Sequence, residues 1–223
     1  MNTANTVRPD TGRPHWHQLA GRFGDDSECL ACFLALETAE LLAGEKPANL
    51  INVVNRTQVC GKNLYRLWKR HGETLLRDSG LVGRELIDRG DSVLLFIFRP
   101  EVLTALLSRK DVAAVLRRAR YREPLDLDRV LAELESRVLS GEAFPHEIGV
   151  FLGYPLKDVV SFMGWAPLPF ACQGPWKIYG NPDSSLKLAG TFHHCRRRMA
   201  RRLGSCETPF DCLTSGSAHN RGW

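Results

Sequence analysis

"SVLLFIF", residues 92–98, is the stretch on which the reading of the fold turns. After its first residue it is apolar without interruption, mixing β-branched and aromatic side chains. A strand with one wet face alternates apolar and polar residues, whereas a strand covered on both faces is apolar throughout. Residues 92–98 are therefore expected to form the central strand of a sheet with helices packed on it. Pro100 follows almost at once and suits the first turn of a helix.

Working outward, "ANLINVV" (48–54) has a similar β-branched character, and "WKIYG" (176–180) reads as a shorter strand of the same sheet. Helical patterns lie between and around them. The first is capped by Asp26 or Ser27 and runs to about Ala43, where Gly44 and Pro47 stop it. A second covers about 62–77, with Leu64, Leu67, Trp68 and Leu75 on one side. Helical pattern continues with breaks over 100–116, and an amphipathic helix covers about 126–139. The last helix is capped by Asn181, opened by Pro182, and carries the stripe Leu188, Phe192, Cys195, Met199 and Leu203. The expected fold is α/β: a small, three-stranded sheet covered by helices in a single domain over 26–203. Polar segments at 1–25 and 204–223 are expected to be flexible. The connections are long enough for parallel crossovers, so strand direction stays open.

The bulk numbers set the outer limits. The chain has 223 residues, 43% of them hydrophobic and 25% charged, which suits a globule with a real core. A net charge of +5 permits an anionic partner without requiring one. The first residues hold no apolar run of the kind a secretory signal needs. The longest strongly apolar run, 93–98, is far shorter than the roughly 20 residues of a membrane span. A cytoplasmic protein with no membrane partner is expected. Seven cysteines stand at 29, 32, 60, 172, 195, 206 and 212, and an odd count without an export signal points to reduced thiols.

Three stretches, "LLAGEKPANL" (41–50), "FPHEIGVFLGYPLKDV" (144–159) and "WKIYG" (176–180), resemble in this order a bacterial family known as domain of unknown function 3793. The resemblance covers roughly 28–203, leaving Cys206 and Cys212 outside. It implies an accessory role in anaerobic iron or redox physiology and carries over no catalytic residue. It also places Cys172 and Cys195 at family cysteine positions, although "FACQGPWKIYG" departs from the family's Cys-Gly-Tyr-Trp style.

Residues 144–163 hold the densest local signal. Pro145 opens a helix, Gly153 suits its left-handed cap, and Pro155 opens the next. This is a helix-turn-helix-like corner, with Ile148, Leu152, Val159 and Phe162 expected inside. The outward positions of 155–163 (Leu156, Lys157, Asp158, Val160 and Ser161) offer little to base edges, so a packed corner is preferred. A DNA- or RNA-binding regulator remains the alternative, using this corner and an outer face of Arg196, Arg197, Arg198, Arg201 and Arg202.

His146 is the catalytic candidate, and an enzyme of unrecognised type is the third reading. Its neighbour Glu147 points about 100° away on a helix, and no nucleophile motif accompanies the pair. Cys172, Cys195 and His194 are the candidate metal ligands, two thiolates and an imidazole suited to zinc or iron. Cys29 and Cys32 have redox spacing, but no strand precedes them, and core packing is the preferred reading. The expected function is an accessory protein that binds a small ligand or a metal. The protein partner is not legible.

Overall fold

The computed structural model describes Trp16, Leu19 and residues 21–214 apart from positions 59 and 142. Three strands form its main sheet: β1 (Ala48–Val54), β2 (Val82–Asp88) and β3 (Ser92–Phe98). Their order is β1-β3-β2, with β3 antiparallel to both neighbours. The open question of direction is thus settled as antiparallel. The continuous apolarity of 92–98 has the expected cause, because successive side chains of β3 enter two different cores. Val93, Leu95 and Ile97 join Ile51 and Val53 in one layer, while Phe96 and Phe98 join Ala48 and Leu86 in the other.

Helices α1 (Asp26–Glu37), α2 (Ala39–Leu42) and α3 (Leu64–Arg77) build the first layer. The second is built by α4 (Pro100–Leu107), α5 (Lys110–Arg118), α6 (Leu127–Ser140), α7 (Ile148–Phe151) and α8 (Leu156–Phe162). The chain is therefore a mixed α/β protein with helices on both faces of a small sheet. None of the helices in the described residues is long and apolar enough to cross a membrane.

Strand β2 was not expected, and its composition explains why. "VGRELID" carries two acids, an arginine and a glycine, and only Leu86 is fully buried. It is an edge strand, where one side faces solvent and charge is tolerated. Gly83 is required by close approach: a Cβ there would lie 2.8 Å from Leu76 and 2.9 Å from the Trp68 ring.

The strand at 176–180 forms, as β5 (Lys177–Tyr179), but not in the main sheet. It pairs with β4 (Phe170–Gln173) in a separate two-stranded hairpin. The hairpin docks its Trp176 and Ile178 onto Ala189 and Phe192 of the long helix α9 (Asp183–Ser205), as a satellite core. Three paired residues offer few ladder bonds, so side-chain burial decides where this strand lies.

The expected tail from 204 also needs correction. Helix α9 runs to Ser205, and α10 (Pro209–Thr214) packs on α1 with Cys212 and Leu213 buried. The Ser/Gly-rich composition hid a short apolar face that covers α1. At the other end Phe23 is buried and Trp16 meets Phe33 edge-on at 5.8 Å. Residues 1–15, 17, 18, 20 and 215–223, the remainder of the two segments expected to be flexible, lie outside the described residues.

Helix α1 is buried on every side from Cys29 to Leu36, as a helix apolar all round should be. Its cap is Asp25 rather than Asp26 or Ser27, its carboxylate accepting from the backbone N–H of Ser27 and Glu28. Burial pushes the Cys29 thiol up to about 11 and the Cys32 thiol up to about 12. A thiol so far above neutral pH holds almost no nucleophilic thiolate. In the native protein, iodoacetamide is therefore expected to label the half-exposed Cys60 and Cys172 and to spare Cys29, Cys32 and Cys212. Peptide mass spectrometry after a short pulse checks this, and early labelling of Cys32 would refute the core assignment.

Candidate functional site

The corner at 144–163 folds as two short helices around Gly153, whose φ is +72°. A Cβ at Gly153 would also sit 2.7 Å from Pro47, so only glycine serves both the left-handed turn and the contact. The corner thereby touches the start of β1. Ile148, Leu152 and Val159 are buried as expected, but Phe162 is 40% exposed. The inward position belongs instead to Asp158, which is 1% exposed.

Asp158 is buried because four donors meet it. Its Oδ1 accepts from Lys157 Nζ at 2.7 Å and the Tyr179 backbone N–H at 2.9 Å. Its Oδ2 accepts from Trp176 Nε1 at 2.8 Å and Ser185 Oγ at 2.6 Å. One carboxylate thus ties α8 to the hairpin and to the first turn of α9. Burial pulls its pKa upward, but the bonds from Lys157, Ser185, Tyr179 and Trp176 prevail and hold it below the ordinary value. Lys157 also donates to the Tyr179 carbonyl at 2.7 Å. Two of the side chains expected to face outward from the would-be reading helix are therefore bound to the hairpin.

The hairpin, the corner and β1 enclose a cavity of about 260 Å³ against α9. Its walls bring together two of the three stretches, "LLAGEKPANL" through Lys46 and Asn49 and "FPHEIGVFLGYPLKDV" through Leu152 and Tyr154, while Pro175 adjoins the third, "WKIYG". Five charged or amide side chains line it in a bonded chain. Arg196 donates from Nε to Glu40 at 2.5 Å and from Nη1 to Glu37 at 3.3 Å. Asn49 donates to the Glu37 backbone carbonyl at 2.5 Å and to Glu40 Oε2 at 3.4 Å, and it accepts from Lys46 Nζ. The Lys46 ammonium lies 5.4 Å from the Tyr154 ring centroid and 5.3 Å from that of Phe192. The Arg196 side chain is only 12% exposed; desolvation pulls its pKa down, yet Glu40 and Glu37 outweigh it and raise the value. Arg196 therefore leaves the outer basic face expected of it, because two acids of α1 and α2 draw it inward.

The expected site residues are not brought together. His146 is exposed, with its ring edge-on to Phe162 at 4.9 Å. Glu147 is buried elsewhere, accepting from Arg137 Nη1 at 2.8 Å and the Tyr121 hydroxyl at 3.3 Å. An ion pair, rather than a helix dipole, accounts for Glu147, since α7 has only four residues. Cys172 lies in the hairpin against the satellite core, while Cys195 is buried under α9 and His194 beside it is exposed. Among the described residues no three His, Cys, Asp or Glu side chains are placed to hold a metal ion. The set Cys172, His194 and Cys195 is accordingly not assembled: adjacent helical residues point apart, and Cys195 follows the apolar stripe inward. Burial pushes the Cys195 thiol up to about 11, with Glu40 and Glu45 adding to it.

Lys46, Asn49 and Glu40 escaped the sequence reading. The only hint was polar residues within apolar neighbourhoods, Glu40 before Leu41-Leu42 and Asn49 inside a strand. A family model described as protein of unknown function, DUF3793, matches residues 34–212, which places Cys206 and Cys212 inside the family region. No curated protein and no solved structure matches the chain.

Proposed function

Since the chain belongs to the DUF3793 family of proteins of unknown function, the reading rests on its own site, and we propose an accessory protein that binds a small zwitterionic molecule in the Lys46–Arg196 cavity. We place it in the anaerobic iron and redox setting that the resemblance implies.

One observation carries this reading, namely the distribution of charge along the cavity wall. Glu37, Glu40 and Arg196 form a cluster in which two acids face one base, so this end is net negative. Lys46, set against two aromatic rings and joined to Glu40 through Asn49, adds a positive charge beside this cluster. A ligand with an ammonium and a carboxylate group complements both signs, while a dianion meets repulsion from the acids. Leu50, Ile51, Leu152, Tyr154 and Phe192 supply apolar wall for a short side chain. An α-amino acid such as L-leucine has this chemistry. The metal branch of the expectation finds no comparable group of ligands among the described residues.

Calorimetric titration with L-leucine, succinate and 1,4-diaminobutane tests it. L-leucine is expected to bind best. Lys46→Met keeps the stem packed on the rings but removes the charge, and is expected to weaken L-leucine by about tenfold or more, the worth of a charge-assisted hydrogen bond. Equal affinity in Lys46→Met, or tighter binding of succinate, would overturn the reading.

A further inference from the structure

Tyr154 and Trp176 stack at 4.5 Å with their planes 20° apart, and both rings also line a second cavity of about 310 Å³. Its walls differ in kind from those of the first. Ile148, Val159, Phe162 and Trp176 make it predominantly apolar. Its one acid, Asp158, is engaged by four donors that include the ammonium of Lys157. At the mouth two basic side chains flank a single ring. Lys177 Nζ lies 5.2 Å from the Phe162 ring centroid, and His146 meets the same ring edge-on at 4.9 Å. Among the described residues neither Lys177 nor His146 has an ion-pair or side-chain hydrogen-bond partner.

An apolar chamber with an uncompensated cation at its mouth selects an organic anion with an apolar body. The volume sits at the low end of the roughly 300–1,000 Å³ range of ligand pockets, which fits a molecule of one or two rings. The π surfaces of Phe162 and Trp176 favour a flat ring over an alkyl chain of equal area. A dianion would find a second negative charge facing apolar wall, so a single carboxylate fits best. We propose that this cavity binds a small aromatic monocarboxylate, its ring inside against Val159 and Trp176 and its carboxylate at Lys177, with His146 as a second donor. The inference goes beyond the zwitterion site, since it concerns another cavity, another ligand class and other charged residues.

The probe is phenylacetate, titrated into the full chain while the indole N–H resonance of Trp176 is followed by nitrogen-15 NMR, with phenylacetamide and hexanoate as controls. A saturable shift with a dissociation constant at or below about 1 mM is expected, and both controls should bind about tenfold more weakly. Lys177 is exposed, so Lys177→Met is expected to keep the fold and melting temperature and to weaken phenylacetate by about tenfold. Phe162→Ala, also at an exposed position, should weaken it comparably by removing the platform of both basic groups. Lys46→Met should leave phenylacetate binding unchanged, which separates failure here from failure of the zwitterion reading. The proposal is overturned by the absence of a saturable shift up to about 10 mM, by amide or hexanoate binding equal to phenylacetate, or by unchanged affinity in Lys177→Met.

Discussion

Asp158→Ala is expected to lower stability by about 3–5 kcal/mol, the cost of breaking a buried charged network by removing one partner. The substitution strands Trp176 Nε1, the Ser185 hydroxyl and the Tyr179 N–H, and it leaves Lys157 without its carboxylate. At about 2–4 °C per kcal/mol for a chain of this size, the melting temperature should fall by about 10 °C. Asp158→Asn keeps the shape and one accepting oxygen but turns a donor group toward two of the four donors, so a smaller loss than in Asp158→Ala is expected. The pH dependence has a definite sign. The folded-state pKa lies below the unfolded value of about 3.9, so the stabilisation is fully present above that value. It is lost as pH falls through the folded pKa. Acid denaturation followed by circular dichroism should therefore show a shallower acid limb in Asp158→Asn than in the parent. A melting temperature for Asp158→Ala within about 2 °C of the parent would show that the hub contributes little.

Arg196→Met should be the second most damaging change, by about 3–5 kcal/mol, because Glu37 and Glu40 would both lose the guanidinium that bonds them at the cavity wall. Lysine should not rescue the site. It lacks the planar fork that serves Glu40 from Nε and Glu37 from Nη1 at once. Adding Glu40→Gln to Arg196→Met removes one of the stranded charges and should recover a substantial part of the loss. Urea unfolding of the single and double variants measures this coupling. If the double variant is no more stable than Arg196→Met, the ion cluster is not what holds α9 against α1 and α2.

Much of the fold was legible because it follows local rules. Residues 92–98 are apolar on both parities and lie in the middle of the sheet, with one parity in each core. The stripe from Phe192 to Leu203 turns inward at helical spacing, as does the run that buries Ile148, Leu152 and Val159. Edge strand β2 escaped because an edge tolerates "GRE", a string that carries no strand signal of its own. The hairpin at 170–179 was half legible: its second strand could be read, but the companion that took it out of the main sheet could not.

Periodicity reports where apolar side chains go, and by itself the sequence determined the central strand, the helices that cover it and the cysteines of α1 as core residues. Only the tertiary structure decided that Asp158 points in while Phe162 lies at the surface, and that Arg196 leaves its basic face. A charge enters the interior only where partners await it, since an unpaired buried charge costs more than the fold can bear. Three of the four partners of Asp158 stand 18, 21 and 27 residues away, and those of Arg196 stand 156 and 159 residues away. No window of sequence holds both ends of such bonds, so the candidate site became visible only when the chain brought them together.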